Sequence, residues 1–329
     1  MPAISVIVPV YGVEEYISTC LSSLMNQTFS DAEYLFVDDC TPDRSADIIR
    51  ETLEASREFA AQSRIVTHET NRGLIAARRT GLKAACGDYV LYVDADDFIR
   101  EDALEKAYAA VLKTGADVVV FGVEEYHEQT GEYVPSLYKD TIISKESYLG
   151  RLISMSTQTA SPYLANKLIR RNLLDGLEVL PCANVGEDAV CTVQVVANAS
   201  RIEGIEDRLY IYNIHEGSMS HPDTKSRCLA KSADESANVR VIAAWLSKKG
   251  LLPRYSRELE MRKYLCRYAI GDFAEDSDGY KAWRSTFPEV EGRILFNPLM
   301  TWFDRKLYVL RFLKLRTAFL KFSRKIRRL

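Results

Sequence analysis

Tyr89-Val90-Leu91-Tyr92-Val93-Asp94-Ala95-Asp96-Asp97 sets five apolar residues directly before three carboxylates within four positions. A short, continuous apolar run of this kind reads as a strand buried on both faces, as in a parallel sheet covered by helices. Positions two apart in an extended chain point the same way, so Asp94 and Asp96 can aim at one point. Converging carboxylates repel each other, and a hard divalent cation with an anionic ligand would offset that repulsion. The plainer alternative is an acidic turn in which Asp97 caps a helix over 101–113.

The residues on either side repeat the arrangement. Ile4-Ser5-Val6-Ile7-Val8 is a β-rich run that stops at Pro9-Val10-Tyr11-Gly12. Val13, Ile17, Cys20, Leu21 and Leu24 then recur at helical spacing. Tyr34-Leu35-Phe36-Val37 forms a second strand ending in Asp38-Asp39, a helix follows to about Phe59, and Arg64-Ile65-Val66 gives a third strand. After the turn Asn71-Arg72-Gly73, a helix carries Arg78 and Arg79 toward Gly87 and the opening stretch, and Asp117–Phe121 supplies a fifth strand. Strand and helix alternate through 1–121, which predicts a doubly wound, mostly parallel α/β sheet flanked by helices. Ligands of such sheets bind beyond the carboxyl ends of the strands, where Pro9–Tyr11, Asp38-Asp39 and Asp94–Asp97 all lie.

Beyond 121 the alternation breaks down. A hairpin around Thr130-Gly131, helices over 144–154 and 163–174, and a helix opened by Gly186-Glu187-Asp188 are expected, followed by short strands over 202–205 and 209–212. From Pro222 to about Ala274 the pattern is helical, and 271–298 reads as a loop. The expected division is a domain over 1–221, with halves 1–121 and 122–221, and a helical C-terminal region over 222–329.

The ordered series Ser5–Tyr11, Gln27-Thr28, Val37-Asp38-Asp39, Asn71-Arg72-Gly73, Ala77-Arg78, Gly81-Leu82, Gly87-Asp88-Tyr89, Val93–Asp97, Asn166-Lys167-Leu168, Gly186-Glu187-Asp188 and Tyr210–Ser220 resembles the inverting family-2 glycosyltransferases of GT-A fold. The resemblance covers residues 3 to about 221. It implies transfer of a sugar from a nucleotide-diphosphate donor, with a UDP-sugar favoured, to a hydroxyl of a cell-surface glycan or lipid-linked acceptor. It also implies a role for each matching residue. Asp188 is the base, with Glu187 beside it as a possible acceptor ligand. Tyr11 stacks on the nucleotide base, Pro9 shapes the loop beneath, and Asp39 accepts from the uracil imide. Asn71 and Arg78 lie near the nucleotide, with Arg78 placed to meet a phosphate, although Arg79 departs from the Asn common at that position. Asp94 faces the ribose or the outer shell of a Mn²⁺ or Mg²⁺ ion that Asp96 ligates. His215 would be a further metal ligand, with His221 the competing histidine. Asp97 supports either role or faces the sugar. Ser218 and Ser220 could donate to the diphosphate, and Lys167 contacts acceptor or diphosphate or lies on the surface.

Charge distribution adds a separate expectation. Net charge is −3, yet the last 25 residues hold ten Lys/Arg and no acid, leaving the rest of the chain near −13. An acidic body argues against nucleic-acid binding. The tail over 305–329 projects Tyr308, Val309, Phe312, Leu313, Leu320 and Ile326 on one helical face and Lys306, Arg311, Lys314, Lys321 and Arg324 opposite. That profile suits an anionic membrane surface. The same face could instead pack on the body or on a second copy in a homo-oligomer. Seven scattered cysteines without a C-x-x-C pair, no secretory leader and no apolar run near 18 residues point to a cytoplasmic protein, peripheral on the inner face of the plasma membrane.

Other classes fit less well. A phospho-receiver domain needs its acidic pair after the first strand and a Lys after the fifth; here the pair follows the second and Gly122 follows the fifth. A nucleotidyltransferase would want a Gly-rich loop where Pro9-Val10-Tyr11-Gly12 stands. A catalytically inert scaffold of the same fold remains the alternative to an enzyme.

Overall fold

A computed structural model describes residues 1–137, 140, 142–155, 158–215, 224–268, 270–271 and 277–312. Nine strands form one sheet: β1 (Ile4–Val10), β2 (Ala32–Asp38), β3 (Ser63–Thr67), β4 (Tyr89–Tyr92), β5 (Phe98–Ile99), β6 (Val118–His127), β7 (Glu132–Pro135), β8 (Lys167–Arg170) and β9 (Ile202–Ile214). Their order is β3-β2-β1-β4-β8-β6-β9-β5, with β7 hairpinned onto β6. The first four strands are mutually parallel. β8 runs antiparallel to both β4 and β6, while β6 and β9 are parallel. Parallel pairing is thus continuous only through the first half.

Every residue of β1 is buried, because helices cover both faces of the sheet. Alternation then sends Ile7, Leu35, Val37, Val90 and Tyr92 into one core. Val6, Val8, Phe36, Leu91 and Val93 enter the opposite one. The helix Leu74–Ala84 lies close on β1: a Cβ on Gly81 would stand 2.3 Å from Ile7 Cγ2. That approach sets Arg78, one turn earlier, over the carboxyl ends of the strands. Gly87 is less forgiving, since a Cβ there would meet backbone atoms of β1, Ser5 N at 2.6 Å and Ile4 C at 2.8 Å. Gly87→Ala is therefore expected to cost about 1–3 kcal/mol by overpacking and to lower the thermal midpoint by several degrees. An unchanged midpoint in a calorimetric scan would show that β1 can yield.

Three expectations for the second half need correction. Residues 163–174 are not one helix: Lys167–Arg170 is a strand between β4 and β6, and only Arg171–Asp175 is helical. Four residues with only Leu168 and Ile169 apolar cannot show a period, and the gap in the sheet decides it. Residues 202–214 form one long strand whose pairing with β6 shifts register near Gly122, so the apparent break is an irregularity within it. The stretch 271–298 contains a helix, Ser277–Ser285, and two 3₁₀ turns, Pro288–Val290 and Arg293–Phe296.

The long helix Lys225–Lys248 sends Val239, Ile242, Trp245 and Leu246 into the same core as Val190 and Val193. A smaller cluster gathers Met261, Tyr264, Trp283, Ile294, Met300 and Tyr308. The last described helix, Trp302–Phe312, docks through Leu307, Tyr308 and Arg311. Over these residues the body takes Tyr308, and Arg311, placed on the polar face by the sequence pattern, is buried as well. Residues 313–329, with the rest of the expected amphipathic face, lie outside the described residues. No described helix is long and apolar enough to cross a membrane.

Candidate active site

The carboxyl ends of β1, β2 and β4 lie side by side. Immediately past β4, Asp94 and Asp96 each keep their carboxyl groups about one-third exposed. Asp96 Oδ2 is 3.3 Å from His215 Nε2, just beyond β9, and the His215 ring packs, tilted by 31°, against Tyr16 at a centroid distance of 4.1 Å. Burial and the neighbouring Asp94 charge raise the Asp96 pKa. Asp97, by contrast, points inward: it accepts from the Tyr210 hydroxyl at 2.6 Å and the Asn213 N–H at 2.8 Å. Burial, then Asp96 and Asp94, push its pKa well up. Asp97 is a brace between β9 and the acidic turn, neither an N-cap nor a group facing a sugar. The Tyr210 hydroxyl also receives the Asp94 N–H at 3.2 Å.

Gly186 adopts φ +78° and turns the chain into the helix Glu187–Asn198, placing Glu187 and Asp188 in its first turn, where the helix dipole favours anions. Arg78 joins the two acidic groups. Its Nη2 donates to Asp94 Oδ1 at 3.0 Å, and its Nη1 to Glu187 Oε1 at 3.0 Å and Asp188 Oδ1 at 2.5 Å. Burial works against the Arg78 charge, but Asp188, Asp94 and Glu187 together raise its pKa well above the ordinary value. Burial and the adjacent Asp188 push Glu187 up to about 8. Arg78 is thus the centre of a buried bridge of carboxylates, not a solvated helix arginine.

Two other candidate residues, Asp39 and Lys167, are likewise held by the protein. Asp39 is buried, and accepts from His68 Nδ1 at 2.6 Å, Arg72 N at 2.8 Å and Gly73 N at 2.7 Å. It holds the 71–73 turn, leaving one lone pair of Oδ2 for an imide N–H. Asn71 closes that turn by accepting from Gly73 N at 3.0 Å. Lys167 is fully buried. Its ammonium donates to Tyr163 O at 2.6 Å, Asn166 Oδ1 at 2.8 Å and Ser161 O at 3.0 Å, and burial lowers its pKa to about 8. Surface exposure and diphosphate contact are both excluded for it. Lys167 instead shapes the 161–164 loop, whose Leu164 N–H donates to Asp188 Oδ2 at 3.2 Å.

Pro9 is buried within β1, whereas Tyr11 is half exposed beyond its end. Ser218, Ser220 and His221 lie outside the described residues. Sequence reading passed over His68, which supports Asp39, as well as Tyr16 and Asn213. His68 sits one residue past β3, at the same end of the sheet as the other site residues. Its position was the available signal.

Residues 5–177 match the model of the family described as Glycosyl transferase family 2. The chain belongs to this glycosyltransferase family. The family-2 enzyme is 30% identical to an uncharacterized glycosyltransferase, EpsJ of Bacillus subtilis, over 82% of this chain and 76% of that one. It is 32% identical to the poly(ribitol-phosphate) β-N-acetylglucosaminyltransferase TarS of Staphylococcus aureus, over 64% of this chain but 35% of TarS. In three dimensions it resembles the TarS fragment 1–349 in complex with UDP-GlcNAc, with a TM-score of 0.58 at 21% identity, over 99% of this chain and 92% of that one. A Pyrobaculum calidifontis mannosyltransferase in complex with GDP-Man and Mn²⁺ gives a TM-score of 0.55 at 16% identity, over 95% and 87% of the two chains. These likenesses establish the GT-A fold.

Among the described residues, no group of three or more His, Cys, Asp or Glu side chains encloses a metal site. Asp96 and His215 nevertheless present an oxygen and a nitrogen donor 3.3 Å apart beside a second carboxylate, Asp94. This donor set fits a hard divalent ion that keeps its other positions for water and phosphate oxygens.

Proposed function

We propose that the enzyme is a metal-dependent inverting glycosyltransferase that takes its sugar from a UDP-sugar. The observation that carries this reading is the placement of two acidic groups, Asp94/Asp96 and Glu187/Asp188, on opposite sides of one guanidinium. One group faces the strand-end crevice where a nucleotide binds, and the other faces the acceptor half. Tyr11 stacks on the base, and the loop held by Asp39 and Asn71 borders it. An acceptor hydroxyl attacks the anomeric carbon from the side opposite the diphosphate. Its proton passes to a carboxylate oxygen of Asp188, which Arg78 and Leu164 N–H hold in orientation. Mn²⁺ or Mg²⁺ held by Asp96 and His215, with Asp94 adjacent, would supply neutralisation of the departing diphosphate. Attack opposite the leaving group inverts the anomeric configuration.

The acceptor we infer is a hydroxyl of a growing cell-surface glycan or of a lipid-linked intermediate. The cation-rich 305–329 segment supports work at an anionic membrane surface. Calorimetric titration of UDP in Mn²⁺ tests the donor side. Asp96→Ala is expected to weaken binding at least about tenfold, or about 1.4 kcal/mol, and to abolish the difference between Mn²⁺ and chelator. Equal affinity of wild type and variant would remove Asp96 from the metal site. Preference for GDP over UDP would overturn the choice of base.

A further inference from the structure

The helix Trp302–Phe312 buries Leu307, Tyr308 and Arg311 in the body, while aromatic residues around its start stay exposed. Phe296 is 87% exposed and Trp302 is 74% exposed, the largest exposures of any aromatic residues in the described chain. They are close in the fold. Arg305, one turn along the helix from Trp302, donates from Nη2 to Asn297 O at 3.0 Å and from Nε to Met300 O at 3.2 Å. Asn297, next to Phe296, is buried and donates to Arg257 O at 2.8 Å and Glu260 Oε2 at 2.9 Å. Thr301 and Asp304 cap the helix start reciprocally. A rigid turn therefore holds both rings outward, away from the core that Leu307 and Tyr308 enter.

The surroundings are cationic. Phe296 and Pro298 line a shallow cleft of about 370 Å³ with Arg257 and Arg293, and Lys306 Nζ stands 5.1 Å from the Trp302 ring. Glu260 is the acid in that cleft, and it is engaged with Asn297 and, at 3.6 Å, with Arg293. From Arg305 onward the chain carries ten cations and no acid. Aromatic residues beside Lys and Arg are the side-chain chemistry of the bilayer interface, where rings sit at headgroup depth and cations meet anionic lipid.

We propose that Phe296 and Trp302, flanked by Arg257, Arg293 and Lys306, form the contact through which the enzyme sits on an anionic bilayer. This deepens the reading of a glycosyltransferase acting at a membrane, and it moves the contact from the tail alone to a preformed patch on the folded body. The rings enter the interface, and the cations around them select anionic headgroups over zwitterionic ones.

Of the three tryptophans, Trp245 and Trp283 are buried, so fluorescence changes on adding vesicles report on Trp302. The full-length chain is mixed with phosphatidylcholine vesicles, with and without phosphatidylglycerol, and then with vesicles carrying brominated acyl chains. The expected result is a blue shift and bromine quenching only with the anionic vesicles. In sedimentation, Phe296→Ser combined with Trp302→Ser should lower vesicle partitioning at least tenfold although the basic tail is intact. Transfer to a water-soluble acceptor should be unchanged in that double variant. Absence of quenching, or equal partitioning of wild type and double variant, would overturn the proposal. So would a wild-type dimer in light scattering that the double variant loses, because the patch would then be an interface between copies. Quenching by a wild type that transfers from no nucleotide sugar would support the membrane contact while defeating the assigned reaction.

Discussion

Asp188→Asn is expected to lower the transfer rate about 10²–10⁴-fold, the usual contribution of a positioned general base, while UDP affinity in Mn²⁺ stays at the wild-type value. Asparagine keeps the shape and its carbonyl oxygen can still accept from Arg78, although its amide nitrogen then faces Leu164 N–H, and it cannot take the acceptor proton. Nucleotide affinity is expected to hold because Arg78 stands between Asp188 and Asp94, bonding them through different guanidinium nitrogens. Glu187 distinguishes a chemical from an electrostatic role. Burial and Asp188 hold its pKa near 8, so it is largely protonated at neutral pH. Glu187→Gln replaces a neutral acid with a neutral amide and should keep most of the activity at pH 7. Single-turnover kinetics together with calorimetry read both variants. A wild-type rate for Asp188→Asn, or an equal loss in both variants, would assign the base elsewhere.

The first half of the molecule was legible because its signals are local. A run such as Ile4–Val10 or Tyr89–Tyr92 is apolar but for Ser5, leads into acids or a Pro-Val-Tyr stretch, and alternates with amphipathic helices. The second half depends on partners distant in sequence. β8 is a strand because β4 and β6 leave a gap of its width, which nothing within Lys167–Arg170 reveals. The site residues divide along the same line. Residue type and strand-end position identified Asp94 and Asp96 as candidates, and the family resemblance identified Asp188. The direction of each side chain depended on contacts more than 100 residues apart, as between Asp97 and Tyr210 or Arg78 and Asp188. A motif identifies the acids at a site, but it does not show which of them face the ligand and which brace the wall. Asp39, Asp97 and Lys167 brace the wall, and their hydrogen-bond capacity is largely filled within the protein.

Arg78→Met tests how far that bracing holds the site together. The substitution keeps much of the buried aliphatic stem and removes the cation from among Asp94, Glu187 and Asp188. Breaking a buried ion pair by deleting one partner typically costs about 3–5 kcal/mol, because the remaining charge is left uncompensated. Here Asp94 and Asp188 would be left charged beside the largely protonated Glu187, and of the three only Asp94 is as much as one-third exposed. They can relieve the strain by binding protons, so their folded-state pKa values should rise above the unfolded ones. A folded state that binds more protons than the unfolded state loses stability as pH rises. The deficit relative to wild type should therefore be smallest near pH 5 and grow toward pH 8. Denaturant unfolding of both proteins at the two pH values measures it. Arg78→Lys, which supplies one charge but cannot reach both sides as a planar fork, should recover only part of the loss. A deficit that is the same at pH 5 and pH 8 would mean that Arg78 contributes by packing against Tyr92 and the sheet, and that the two acidic groups do not depend on its charge.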